Sequence, residues 1–167
     1  SKIYHVKKEQ DCRIAHVALI PEHPAPLPAA LAAIREADLI LLGPGSLYTS
    51  VIPNLLVDGV AEAIRASDAL KIYICNIMTQ DGETEGYTVS DHVAALLAHG
   101  GPGLVDLCLA NSAQVRPGLV ERYREEDAAP IAVDRAAVES LGIELVERPL
   151  ASETSDFARH SIARLAA

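Results

Sequence analysis

Short apolar runs alternate with amphipathic stretches along most of this chain, and this alternation limits the folds that it can adopt. The runs have the length of single buried strands and fall at residues 39–42, 71–77, 104–109, 130–133 and 143–146. Between them, apolar residues recur at helical spacing, as in Val89, Val93 and Leu96. Because strand–helix–strand connections are right-handed, this order predicts a doubly wound, mostly parallel sheet with helices on both faces, a Rossmann-like α/β fold.

The start of the chain departs from this pattern. Residues 1–8 and 13–20 are strand-like and flank a polar stretch, which predicts an N-terminal β-hairpin followed by a proline-rich linker. We expect one domain over residues 1–167, with the hairpin and linker at 1–26 and the α/β core at 27–167. Because the chain begins with serine inside a strand-like run, we expect it to be part of a longer protein.

Local signals mark several helix ends. Thr88, with Asp91 three residues later, is typical of a capping box at a helix start. Asp134 is predicted to cap a later helix in the same way. The helix that begins near residue 49 or 50 either continues or breaks at the Asp58-Gly59 pair, and the sequence leaves both alternatives open.

Charge and composition argue against several function classes. Fourteen Lys and Arg against 23 Asp and Glu give a net charge of −9, which argues against nucleic acid or an anionic membrane as a partner. No apolar run approaches the roughly 18 residues of a membrane span and no signal peptide is recognisable, so we expect a cytoplasmic protein. Cys12, Cys75 and Cys108 are widely spaced, which favours free thiols over a disulfide or a metal site.

Residues 43–50 join a predicted strand to a predicted helix. Gly43 and Gly45 allow a sharp turn and a close backbone approach, while Ser46 and Thr49 place hydroxyls beside the helix start. Such a loop suits a phosphate group, because the first N–H groups of a helix attract anions. The same residues would also serve a plain turn.

Further candidate ligand contacts lie within this loop and after the next strand. Tyr48 would either stack on a base or sugar or pack in the core, and the sequence leaves both alternatives open. Asn76, Thr79 and Gln80 would bond a sugar hydroxyl or a base edge, or cap their own loop. Ligands of doubly wound sheets bind beyond the carboxyl ends of the strands, so these loops are expected to line one crevice.

Residues 41–57, 75–80 and 87–92, together with 121–123 and 159–160, closely resemble the YvcK-type gluconeogenesis factors, a family related to 2-phospho-L-lactate transferase. The resemblance runs through essentially the whole chain. It implies binding of nucleotide sugars, notably UDP-N-acetylglucosamine, and roles in carbon metabolism, cell-wall homeostasis and cell shape. It also implies that family members are longer and that this chain corresponds to their C-terminal half.

The resemblance further implies site residues and partners. Tyr123 and Arg159 match positions that contact the nucleotide sugar, and the glycine loop is expected to contact its pyrophosphate. A non-catalytic regulator with no assigned catalytic residue is favoured; the alternative is a phospholactyl-type transferase that acts on a deazaflavin with a guanine nucleotide as leaving group. No cofactor is expected in this half, and a divalent metal only together with the N-terminal half. The expected partners are the nucleotide sugar, the N-terminal half, further copies in a homo-oligomer, and other proteins.

Overall fold

A four-stranded parallel sheet forms the centre of the protein. The computed structural model describes residues 13–152 and 157–166. In spatial order the strands are β1 (Leu39–Leu42), β2 (Leu70–Ile74), β3 (Leu107–Asn111) and β4 (Glu144–Arg148). All neighbouring strands are parallel, and each connection between them contains at least one helix. This arrangement confirms the predicted Rossmann-like α/β fold.

The helices begin and end close to the predicted signals. They are α1 (Pro28–Glu36), α2 (Ile52–Leu55), α3 (Val60–Ala66), α4 (Val89–Gly100), α5 (Pro117–Arg124), α6 (Arg135–Ser140) and α7 (Ile162–Leu165), and a π-helical turn (Leu47–Val51) precedes α2. Gly59, with φ of +76°, separates α2 from α3, so the chain forms two helices here. Thr88 and Asp91 form the predicted capping box of α4. Among the described residues, no helix combines the length and apolar character needed to cross a membrane.

The two faces of the sheet are covered unequally. One face carries buried residues such as Leu42, Tyr73 and Cys108, which share a hydrophobic core with the helices. The register places the side chains of Leu39, Leu41 and Leu70 together on the opposite face, where they are 48%, 53% and 48% exposed. Half-buried apolar residues continue this open sheet face across the other strands: Ile72, Leu107, Leu109 and Val146. In residues 13–152 and 157–166, therefore, no second layer of helices covers that face, and the prediction of helices on both faces is not met there.

The predicted N-terminal hairpin is not formed by the described residues. Its first arm, residues 1–8, lies outside them, and residues 13–20 contain no strand. Instead the Val17 N–H donates to Nε2 of His99 on α4 at 3.2 Å. The His16 ring stacks on the same imidazole, with 5.3 Å between ring centroids. This segment therefore packs across a helix, and side-chain contacts replace the pairing that its alternating pattern predicts.

The prediction of a strand at residues 130–133 is wrong. The segment makes only isolated bridges, Pro130 to Met78 and Ala132 to Thr88. Proline lacks an N–H group for a strand ladder. The segment lies in space between the loop after β2 and the start of α4, and it forms backbone hydrogen bonds with both. The apolar side chains here fill the space between that loop and α4, which explains why the run resembles a strand in sequence.

Asp134 precedes α6 as predicted, but its side chain does not cap that helix. Its carboxylate accepts hydrogen bonds from the Ser90 N–H, at 3.0 Å, and from the Ser90 hydroxyl. Burial favours the neutral acid, yet these hydrogen bonds hold the pKa of Asp134 below its ordinary value. The interaction links the start of α6 to the start of α4.

Candidate functional site

A cleft of about 770 Å³ lies beyond the carboxyl ends of β1 and β2. Its walls come from the loop after β1, the loop after β2, helix α5 and the C-terminal segment. The lining residues are Pro44, Gly45, Ser46, Ser50, Asn76, Ile77, Met78, Thr79, Gln80, Tyr123, Ala158, Arg159, His160, Ile162 and Leu165. The volume falls within the range of roughly 300–1,000 Å³ that is usual for small-molecule sites.

Most of the residues that the sequence singles out meet at this cleft. Those that line it are Gly45, Ser46, Asn76, Thr79, Gln80, Tyr123 and Arg159. Gly43, Tyr48 and Thr49 do not line it. The cleft therefore joins residues from four separate parts of the chain, of which the loops after β1 and β2 lie at the same edge of the parallel sheet.

Positions 43 and 45 of the loop favour glycine for different structural reasons. Gly43 has φ of +86°, and a Cβ atom there would lie 3.0 Å from the Ile74 carbonyl oxygen, so the turn itself requires glycine. At Gly45 a Cβ atom would lie 3.2 Å from the Ser50 Cβ, so a side chain there would press on the helix start. Gly43 thus shapes the turn, and Gly45 forms part of the cleft wall.

Tyr48 packs in the core, which is one of the two alternatives that the sequence leaves open. Its ring is 3% exposed, and its hydroxyl lies 2.8 Å from the Tyr87 hydroxyl. Burial and this hydrogen bond raise the pKa of Tyr48 well above its ordinary value. Thr49 is exposed outside the cleft, where its hydroxyl donates to Glu83 Oε1 at 3.3 Å.

The loop after β2 is held by its own polar groups. Thr79 is buried, and it exchanges two hydrogen bonds with Ala129: its hydroxyl accepts from the Ala129 N–H at 2.9 Å, and its own N–H donates to the Ala129 carbonyl at 2.8 Å. Oε1 of Gln80 is buried and accepts no hydrogen bond from the described residues. Thr79 therefore anchors the loop, and Gln80 is the better candidate for a ligand contact.

Tyr123 and Arg159 lie 36 positions apart in sequence and line the same cleft. The Tyr123 hydroxyl accepts a hydrogen bond from the Ala158 N–H at 3.3 Å, which ties α5 to the C-terminal segment. The Arg159 guanidinium lies 5.0 Å from the centre of the Phe157 ring, and that of Arg122 lies 5.2 Å from the same centre. These cation–π contacts hold Arg159 beside the cleft.

Two residues at the site, His160 and Phe157, are not predicted as ligand contacts from the sequence. His160 lines the cleft, and its Nε2 lies 3.1 Å from the Cys75 carbonyl oxygen at the end of β2. The only sequence signal for His160 is its place beside Arg159 in a block shared with the resembling family. Phe157 has no such signal, because its role depends on two arginines that come near each other only in the folded chain.

An acidic cavity of about 530 Å³ adjoins the cleft and shares Thr79, Gln80 and Tyr123 with it. Its remaining walls are formed by Asp81, Glu125, Glu126, Asp127 and Ala128. Carboxylates repel anions, so an anionic ligand group is favoured near Gly45 and Arg159 and disfavoured at this end. Among the residues that the structure describes, no three His, Cys, Asp or Glu side chains are arranged to hold a metal ion.

Comparison with known proteins places this architecture in a family. Residues 1–151 match the family model described as 2-phospho-L-lactate transferase CofD. The gluconeogenesis factor of Halalkalibacterium halodurans is 45% identical over 153 residues, which are 92% of this chain and 48% of that protein. The gluconeogenesis factor of Bacillus subtilis is 44% identical over 154 residues, which are 92% of this chain and 49% of that protein.

A solved structure shares the fold. The X-ray structure of protein BH3568 from Bacillus halodurans superposes with a TM-score of 0.91 at 42% sequence identity, over 97% of this chain and 52% of that chain. The chain thus spans about half the length of the curated relatives that it matches. The match over residues 1–151 and the shared parallel sheet lead to one conclusion: the chain belongs to the 2-phospho-L-lactate transferase CofD family.

Proposed function

We propose that the complete gene product binds a nucleotide sugar, UDP-N-acetylglucosamine, in the cleft and acts as a regulator of carbon metabolism. The observation that carries this proposal is the meeting of Tyr123 and Arg159 with the glycine loop around one cavity. Arg159 offers a planar guanidinium suited to a diphosphate in a protein whose net charge is −9. Ser46 and Ser50 add hydroxyl donors on the opposite wall.

The distribution of charge favours one orientation of the ligand. The diphosphate would lie between Gly45 and Arg159, away from the carboxylates of the adjoining acidic cavity. Neutral groups of the ligand, such as sugar hydroxyls, would face Gln80 and the acidic end, where oxygen acceptors predominate. An uncharged sugar fits this end better than an acidic one.

The link to carbon metabolism is supported by the relatives, which are named gluconeogenesis factors. Roles in cell-wall homeostasis and cell shape extend the proposal, and they rest on the sequence resemblance. The alternative function, a phospholactyl-type transferase that acts on a deazaflavin, is supported by the description of the family model. Incubation of the complete gene product with a phospholactyl donor activated by a guanine nucleotide and with a deazaflavin acceptor separates the two functions, because a transferase releases the guanine nucleotide whereas a regulator gives no turnover.

Calorimetric titration of the complete gene product with UDP-N-acetylglucosamine, UDP, GDP and a deazaflavin tests the binding proposal. Arg159→Ala should weaken binding of UDP-N-acetylglucosamine by about tenfold to a hundredfold, because a charge-assisted hydrogen bond is lost. Tyr123→Ala should weaken it comparably, and the two effects should be non-additive because both side chains contact one ligand. Arg135→Ala, which removes an arginine that bonds Glu139 and Glu147 instead, is the matched control. Equal affinity in the Arg159→Ala variant would exclude this cleft.

We also propose that the open sheet face packs against the part of the complete gene product that corresponds to the unmatched half of the relatives. Parallel sheets are normally covered on both faces, and the relatives are about twice as long as the matched region. Leu41→Asp should then lower the free energy of unfolding of the complete gene product by about 2–4 kcal/mol, because a carboxylate becomes buried. Leu141→Asp, at an exposed helix end, is the control. If a second copy covers the face instead, light scattering should show a dimer of the wild-type protein. The loss of stability in Leu41→Asp should then depend on protein concentration.

A further inference from the structure

His160 is fixed at the cleft from two sides. Its backbone forms an antiparallel bridge with Ala151, flanked by hydrogen bonds from the Ser152 N–H to the Arg159 carbonyl at 2.8 Å and from the Ser161 N–H to the Leu150 carbonyl at 2.7 Å. Its ring reaches the end of β2, where Nε2 lies 3.1 Å from the Cys75 carbonyl oxygen. The imidazole therefore has a defined orientation before any ligand arrives.

The contact with Cys75 determines which ring nitrogen carries the proton. A carbonyl oxygen only accepts hydrogen bonds, so Nε2 of His160 must be the donor. In a neutral imidazole the other nitrogen, Nδ1, is then an acceptor. Nδ1 has no hydrogen-bond partner among the described residues, and His160 is one of the residues that line the cleft. Burial lowers the pKa of His160, opposed by the bond to Cys75, which favours the neutral ring near pH 7.

We propose that His160 contacts the ligand directly, with Nδ1 accepting a hydrogen bond from a hydroxyl or N–H group of the bound molecule. This inference rests on the proposed function and adds a specificity-determining residue to it. The cleft then contains a guanidinium for the anionic part of the ligand and, one residue further along the chain, a nitrogen acceptor for a neutral donor. The ligand class that satisfies both is a phosphorylated molecule with a hydroxyl or amide N–H close to its phosphates, as in a nucleotide sugar.

Two substitutions separate ligand contact from a purely structural role. His160→Phe removes both ring nitrogens, whereas His160→Asn places an amide oxygen acceptor near the position of Nδ1 and loses the bond to Cys75. In calorimetric titrations of the complete gene product with UDP-N-acetylglucosamine, His160→Phe should weaken binding by about tenfold or more. His160→Asn should recover part of this loss, because it restores the acceptor but not the bond to Cys75 that orients it. His23→Gln, which replaces an exposed histidine paired with Asp58, should bind like the wild type.

A measurement on the wild-type protein requires no substitution at the site. Histidine ¹⁵N NMR should show the Nε2–H tautomer of His160 in the free protein, and the Nδ1 resonance should shift when UDP-N-acetylglucosamine saturates the site. The Nδ1–H tautomer, or an Nδ1 resonance that does not move, overturns the inference. Equal affinities of the wild type and His160→Phe, or equally weak binding by His160→Asn and His160→Phe, also overturn it while the nucleotide-sugar proposal stands. A wild-type protein that binds no UDP-N-acetylglucosamine overturns both.

Discussion

Replacement of Tyr48 by phenylalanine should lower stability and leave the cleft unchanged. The two hydroxyls of Tyr48 and Tyr87 lie 2.8 Å apart, and the residues are only 3% and 6% exposed. Tyr48→Phe leaves the buried Tyr87 hydroxyl without its partner, which costs about 1–3 kcal/mol. For a domain of this size each kcal/mol lowers Tm by about 2–4 °C, so the expected decrease is about 2–12 °C.

The double variant Tyr48→Phe/Tyr87→Phe supplies the decisive comparison. Since it removes both hydroxyls and so leaves neither of them buried without its partner, it should be more stable than the sum of the two single losses predicts. Denaturant unfolding followed by circular dichroism gives the three free energies, and calorimetry with UDP-N-acetylglucosamine gives the affinities. Strictly additive losses would refute the pairing argument. A Tyr48→Phe variant with unchanged stability but weakened ligand binding would return Tyr48 to the site.

Three further predictions concern the fold. Thr88→Ala should lower the free energy of unfolding by about 1 kcal/mol in denaturant unfolding, because the capping box of α4 is lost, whereas Ser161→Ala should change it little, since Ser161 makes no side-chain cap bond. The pKa of Asp134 lies below its ordinary value of 3.8, so its contribution to stability is present above pH 3.8 and is lost as pH falls through the lower pKa of the folded state. Asp134→Asn should remove this contribution from the free energy of unfolding measured over a pH series. The same slope against pH in the variant and the wild type would contradict the argument. Cys75 and Cys108 are buried free thiols, and their mutual hydrogen bond and burial raise the pKa of Cys75, so a thiol reagent should label them only after denaturation.

Local sequence signals were sufficient where the decisive contact is local. The capping box at Thr88 and the helix break at Gly59 depend on residues a few positions apart, and the structure has both. The parallel sheet was predictable for a related reason, because alternation of strands and helices admits few topologies. The predicted third strand, 104–109, begins later, at Leu107. Leu104 and Val105 are buried like strand residues, but they do not belong to the sheet.

Local signals failed where a segment has a distant partner of another kind. Residues 13–20 alternate like a strand, but within the described residues they form no strand, and the Val17 N–H donates to the His99 side chain. Asp134 has the residue type and position of a helix cap, but its carboxylate accepts hydrogen bonds from the N–H and the hydroxyl of Ser90 instead. In both cases the competing hydrogen bond spans more than 40 positions, which no pattern of neighbouring residues reveals.

The candidate site shows the same division between local and distant causes. The glycine loop was recognisable because a strand, a turn and a helix start are contiguous in sequence, and its place at a strand end follows from the fold. Tyr123 and Arg159 have no such local signal, since they line one cleft through the packing of α5 against the C-terminal segment, where the Tyr123 hydroxyl bonds the Ala158 N–H. His160 is separated from Cys75 by 85 positions, and their hydrogen bond occupies Nε2 and leaves Nδ1 as the free acceptor of a residue that lines the cleft. If that acceptor binds the ligand, then the end of β2 determines specificity through a backbone carbonyl, which any residue type at position 75 would provide.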